Sequence, residues 1–284
     1  MVDRRAPAKL NLYLHVVGRR ADGYHLLDSL VAFADFGDRV SAVAAPSLTL
    51  SVVGPFAAEL AGSASANLVW RAASLLAERA GIEPRAALTL EKNLPVASGI
   101  GGGSSDAAAA LWALAELWGL DTGAGLFDGL AQALGADVPV CLFGRPAWLG
   151  GIGELVTPAP ALPEIWVVLA NPGSALATRA VFNARQGEFT TPARFQEAPR
   201  DAVQLAALLS RRRNDLAASA IALAPVIADV LAALESEPGT LIARMSGSGA
   251  TCFALYAESV EARAASSRLR RAHPDWWIVE GKLF

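Results

Sequence analysis

From Pro95 to Trp118 the chain passes from a glycine- and serine-rich stretch straight into a run of helix formers. The stretch reads Pro95, Val96, Ala97, Ser98, Gly99, Ile100, Gly101, Gly102, Gly103, Ser104, Ser105, Asp106. Four glycines let a backbone approach a ligand closely and adopt positive φ. Ala107 to Trp118 is nearly all Ala, Leu, Glu and Trp and ends at Gly119, which predicts a helix. Ser104, Ser105 or Asp106 is expected to cap it. The start of a helix offers free N–H groups and a positive dipole end, both of which attract anions. The pattern therefore predicts a phosphate loop, with a flexible turn ahead of a capped helix as the plainer alternative. It is no Walker A loop, since G-x-x-x-x-G-K-[ST] is absent. It also fails the dinucleotide fingerprint: Ser104 falls at the third glycine position, and the loop does not follow the first strand.

Earlier in the chain, apolar residues fall at Leu10, Leu12, Leu14 and Val16. This strict period of two predicts a strand with one buried face, and puts Lys9 and Asn11 together on the other face. Asp22-Gly23 is a turn signal, followed by Tyr24-His25 and an apolar stretch over 26–36. Residues 40–53 alternate loosely, as one strand. Helices are expected over 67–80 with Gly81 as the stop, over 126–134, around 202–212 and 224–235, and over 260–271. Strands are expected over 86–91, 165–170, 251–256 and 276–280. The composition shifts to Gly and Pro between Gly150 and Pro163, which places a boundary near residue 155 and gives domains 1–155 and 156–284.

Composition narrows the class. The chain has 284 residues, enough to bury about three quarters of its unfolded surface without disulfides or a structural metal. Hydrophobic residues make up 53%, so the chain is not disordered. Lys+Arg 24 against Asp+Glu 27 gives a net charge of −3, which argues against coating nucleic acid or an anionic membrane. Two cysteines, Cys141 and Cys252, make no disulfide framework. With neither a signal peptide nor a membrane span legible, a cytoplasmic protein is expected.

Each remaining candidate carries a plainer reading. Lys9 reads locally as a strand-edge lysine, but one sharing its face with Asn11 could hold a phosphate. Asp137, in Gly135-Ala136-Asp137-Val138-Pro139, reads locally as a helix cap; acting as a base requires it within reach of a substrate hydroxyl. Tyr24 and His25 read either as a packed ring and an exposed imidazole, or as a pair that stacks on and hydrogen-bonds a base. The three histidines, His15, His25 and His273, are too scattered for a metal site.

Taken in order, five segments resemble the GHMP small-molecule kinases. They are Pro7 to Leu12, Gly18 to His25, Pro95 to Asp106, Gly135 to Pro139, and Ser246-Gly247-Ser248-Gly249-Ala250. The resemblance implies an α+β fold of two domains: an N-terminal α/β domain, a ferredoxin-like C-terminal domain, and an active site in the cleft between them. Within the family it implies the branch whose acceptor carries a cytidine diphosphate, with ATP and Mg²⁺ as cofactors and the acceptor's 2-hydroxyl as the site of phosphorylation on the route to isoprenoids. On that resemblance Asp137 is the catalytic base and Lys9 its partner. Asn11, Tyr24, His25, Thr178 and Phe182 bind the cytidyl substrate. Pro95 to Ser105 wrap the ATP phosphates, with Ser104 or Ser105 facing Mg²⁺. Small-molecule substrates, no nucleic acid, no membrane, and a monomer or weak homodimer are expected. The alternatives are a kinase of the same superfamily for mevalonate, homoserine or a sugar, and a non-catalytic nucleotide sensor; Tyr24-His25 argues against the former, and the pairing of Lys9 with Asp137 against the latter.

Overall fold

The computed structural model describes residues 1–284 apart from Ala61, Ser63 and Ala124. Its strands are β1 (Val2–Arg19), β2 (His25–Val43), β3 (Thr49–Val53), β4 (Ala87–Glu91), β5 (Ala147–Gly150), β6 (Leu155–Pro158), β7 (Ile165–Asn171), β8 (Ile242–Met245), β9 (Cys252–Tyr256) and β10 (Trp277–Leu283). Its α-helices are α1 (Leu68–Ala80), α2 (Gly102–Leu117), α3 (Leu130–Leu134), α4 (Val138–Phe143), α5 (Thr178–Ala184), α6 (Ala202–Ser210), α7 (Ala217–Leu223), α8 (Val226–Glu235) and α9 (Ser259–Ala272). No helix among the described residues is long and apolar enough to cross a membrane.

The chain divides into two compact units, and not at a single cut near residue 155. The first unit holds Met1–Ala8, Phe36–Val96 and Gly101–Gly144; the second holds Lys9–Asp35, Ala97–Ile100 and Arg145–Phe284. The Gly- and Pro-rich stretch that suggested the cut surrounds a hairpin instead, in which β5 pairs antiparallel with β6 from Ala147↔Pro158 to Gly150↔Leu155.

In the first unit β3 runs parallel to β4, which pairs antiparallel with the end of β2. Helix α1 begins where expected: the Asn67 side chain accepts from Val69 N, and Gly81 at φ 65 closes the other end. The alanines of α2, including Ala107, Ala110 and Ala113, are buried and let α1 pack closely against it. Two expectations shift here. The single strand over 40–53 is two, because β2 ends at Val43 and Pro46 lies before β3. The helix over 126–134 is α-helical only from Leu130.

In the second unit β7 is followed by α5 to α8, then β8, β9, α9 and β10. The sheet order is β10-β7-β9-β8 with every neighbour antiparallel, the ferredoxin-like arrangement expected. Helices α8 and α9 pack against these strands and bury Ile227, Val230, Leu234, Ala262 and Leu269.

Strand β1 departs most from expectation. Its period of two does separate Leu10, Leu12, Leu14 and Val16 from Lys9, Asn11, Tyr13 and His15, but both faces are buried. Buried polar groups need partners, and these have them. Tyr13 Oη donates to Asp28 Oδ2 at 2.8 Å. The Arg213 N–H donates to His15 Nε2 at 3.3 Å, so the ring proton sits on Nδ1 facing Thr191 O at 3.2 Å. Burial lowers the His15 pKa and keeps that ring neutral.

Candidate active site

The glycine-rich loop is built with its carbonyls facing inward. Ser98 O accepts from Thr251 N at 3.1 Å, Gly99 O from Ser246 Oγ at 3.1 Å, and Ile100 O from Lys9 N at 2.9 Å. A trans peptide points its C=O and N–H in opposite directions. The N–H groups of Gly99, Ile100 and Gly101 therefore aim away from β1 and from the 246–251 loop. Consecutive N–H groups aimed one way are the kind of arrangement that attracts an anion.

Glycine is required where this loop meets its support. Gly99 has φ +79, and a Cβ there would lie 2.6 Å from Ser246 O and 2.7 Å from both Gly249 N and Gly249 O. Ala97, at φ 50, holds a left-handed conformation that costs a residue with a Cβ about 1–2 kcal/mol. Helix α2 starts earlier than expected, at Gly102, with Gly101 at its N-cap. Ser104, Ser105 and Asp106 therefore lie inside the helix and do not cap it. Ser105 Oγ instead donates to Pro7 O at 2.7 Å. That hydroxyl is turned inward, whereas Ser104 is half-exposed.

Beneath the start of α2 lies a cluster with no counterpart among the expected site residues. Lys92 Nζ is paired with Asp38 Oδ2 and lies 3.1 Å from Asp106 Oδ2, all three side chains being buried. Asp38 Oδ1 also accepts from Asn93 N at 2.5 Å and Leu94 N at 2.8 Å. A Cβ on Gly102 would come within 3.0 Å of Lys92 Nζ. Burial pushes the Asp106 carboxyl well above the usual carboxylate range, against the pull of Lys92 and with Asp38 adding to the rise. Burial also works against the Lys92 ammonium, but Asp106 and Asp38 outweigh it and its pKa rises.

In the second unit Lys9 Nζ donates to Asn11 Oδ1 at 2.9 Å, so the shared strand face holds as expected. Asn11 N donates to Ser246 Oγ at 3.1 Å, which ties this strand to the same serine that holds Gly99 O. Thr178 and Phe182 lie four residues apart on α5, so they share a helix face. Thr178 Oγ1 lies 2.9 Å from Ser248 Oγ. The Phe182 ring stacks on His25, with centroids 5.2 Å apart. Burial, then the Arg19 and Arg185 cations, push the His25 pKa down, so the imidazole is neutral at pH 7. Tyr24 stands beside it at a turn closed by Gly23 N donating to Arg20 O, and the residue is 60% exposed. In the first unit Asp137 holds the N-cap position of α4, but its side chain makes no capping hydrogen bond. The local reading of Asp137 as a side-chain cap therefore fails. Among the described residues no three His, Cys, Asp or Glu side chains form a metal-binding group.

The GHMP kinases N terminal domain matches residues 67–145, and the GHMP kinases C terminal domain matches 195–275. The 4-diphosphocytidyl-2-C-methyl-D-erythritol kinase of Paramagnetospirillum magneticum is 52% identical over 278 residues, covering 98% of this chain and 97% of that one. Its namesake from Cereibacter sphaeroides is 54% identical over 288 residues, covering 100% and 99%. A crystal structure of 4-(cytidine 5'-diphospho)-2C-methyl-D-erythritol kinase superposes with a TM-score of 0.81 at 37% identity, covering 99% of this chain and 98% of that one. A homoserine kinase from Cytophaga hutchinsonii shares the fold, with a TM-score of 0.72 at 18% identity over 99% of this chain and 94% of that one. By sequence over its full length, the chain belongs to the GHMP kinases, in the family of 4-diphosphocytidyl-2-C-methyl-D-erythritol kinases.

Proposed function

We propose that this chain transfers the γ-phosphate of ATP to the 2-hydroxyl of 4-diphosphocytidyl-2-C-methyl-D-erythritol, in the methylerythritol phosphate route to isoprenoid precursors. Membership of the family supports the reaction. The observation that carries the site is the loop whose Ser98, Gly99 and Ile100 carbonyls all face inward. Its opposite edge, running into α2, suits the triphosphate. Pro95 to Ser105 wrap these phosphates. Lys9, held by Asn11, supplies positive charge where the transferring phosphoryl group gathers negative charge. Asp137 orients the acceptor hydroxyl and takes its proton as the new O–P bond forms.

The half-exposed Ser104 hydroxyl at the start of α2 would be the residue to hold a Mg²⁺ ion beside the phosphates. When bound it neutralises phosphate charge. The balanced charge and two buried cysteines outside any disulfide suit a cytoplasmic enzyme, and we take it to act as a monomer or weak homodimer.

The cytosine is recognised at Tyr24 and His25. A neutral imidazole offers one donor and one acceptor, matching the mixed hydrogen-bonding edge of cytosine. The exposed Tyr24 ring supplies a stacking face, Phe182 closes the other side, and Asn11 and Thr178 contact the rest of the substrate. His25→Ala is expected to raise KM for the cytidyl substrate at least tenfold while KM for ATP stays within twofold. Equal changes in both KM values would remove His25 from base recognition.

A further inference from the structure

We infer that Ser29 is a positioning residue that fixes the amide of Asn11 so that its oxygen, not its nitrogen, faces Lys9. The inference rests on the reading of Lys9 given above. A lysine ammonium only donates hydrogen bonds, so it needs an acceptor. An asparagine side chain offers an acceptor at one end and a donor at the other, and the two ends have nearly the same shape. Something beyond Lys9 must choose between them.

Ser29 makes that choice. It lies on β2, fully buried, and its Oγ donates to Tyr13 O at 2.5 Å. With its proton committed there, Ser29 Oγ is left as an acceptor. Asn11 Nδ2 donates to it at 2.8 Å. The opposite end, Oδ1, must then point at Lys9 Nζ, where it accepts at 2.9 Å. Asn11 is also held at its backbone by Ser246 Oγ. Donation runs in one direction, from Lys9 through Asn11 and Ser29 to the Tyr13 carbonyl. Without the Ser29 hydroxyl, Asn11 Nδ2 would be a buried donor without its partner. A flipped amide would present two N–H groups to the ammonium. Lys9 would then have to move to escape like-signed partial charges, and a displacement of about 1 Å at such a group costs up to 10²-fold.

Steady-state kinetics with MgATP and 4-diphosphocytidyl-2-C-methyl-D-erythritol test this. Ser29→Ala is expected to lower kcat about tenfold while KM for ATP stays within twofold. Ser29→Cys, close in size but a weaker hydrogen-bonding group, should fall between it and the parent, and serves in its place if the alanine variant does not fold. The decisive comparison uses an Asn11→Asp background, in which either carboxylate oxygen accepts from Lys9. There, removing the Ser29 hydroxyl should change kcat less than twofold. A parental kcat in Ser29→Ala overturns the proposal, and so does an equal loss in both backgrounds. Lys9→Met separates the two readings. Parental turnover in that variant means the role of Lys9 fails. Loss of turnover there, with normal Ser29→Ala, means that only the inference about Ser29 fails.

Discussion

Asp137→Asn is expected to lower kcat about 10³-fold while the Kd for ATP stays within twofold. The substitution keeps the shape of the side chain and removes its ability to take a proton. A positioned base contributes about 10²- to 10⁴-fold in reactions of this type, and in phosphoryl transfer the same group also aims the hydroxyl. Asp137 holds the N-cap position of α4. ATP binding should not need it, since the proposed function gives the phosphates to the 95–105 loop. Single-turnover phosphorylation, with titration of a fluorescent ATP analogue, separates the two effects. Near-parental turnover would remove Asp137 as the base. Loss of ATP binding would show that the substitution damages the nucleotide site itself.

Asp38→Ala is expected to destabilise the protein by about 3–5 kcal/mol, the usual result of removing one partner from a buried ion pair. Asp38 does more than neutralise Lys92. Its other oxygen accepts from Asn93 N and Leu94 N, just ahead of the glycine-rich loop. The alanine variant leaves two backbone donors unsatisfied and a buried ammonium with only Asp106 as carboxylate partner. Urea unfolding measures the loss, and a change under about 1 kcal/mol would contradict the pairing described here. Any surviving folded fraction should also bind ATP more weakly, because the ammonium lies against Gly102 at the start of α2.

What the sequence made legible was local. Periodicity put Lys9 and Asn11 on one face, and the hydrogen bond between them agrees. It could not tell that this polar face is buried, because alternation looks the same whether the polar side meets water or a second layer of protein. The covering partners of Asn11 and Tyr13 include Ser29, Asp28 and Ser246, and Ser246 lies 235 residues from Asn11. A glycine-rich turn running into a helix was legible from its glycines, but the start of α2 was not. Weak helix propensity argues against Gly102 and Gly103 as helical positions, and cap chemistry argued for Ser104, Ser105 or Asp106 instead. Tertiary contacts overrode both signals, with Ser105 tied to Pro7 and Asp106 to Lys92. Asp38 and Lys92 left no local mark, since lone charged residues in strand-like stretches usually meet solvent. The shift to Gly and Pro after residue 150 marked a tight hairpin between β5 and β6 just as well as it would mark a linker.

The central claim is a chemical one, and ADP release tests it most directly. Purified protein with MgATP is offered 4-diphosphocytidyl-2-C-methyl-D-erythritol, mevalonate, homoserine and galactose in separate reactions. The account predicts release with the cytidyl compound and none above background with the other three. Release with one of those three instead, or with none of the four, would contradict it.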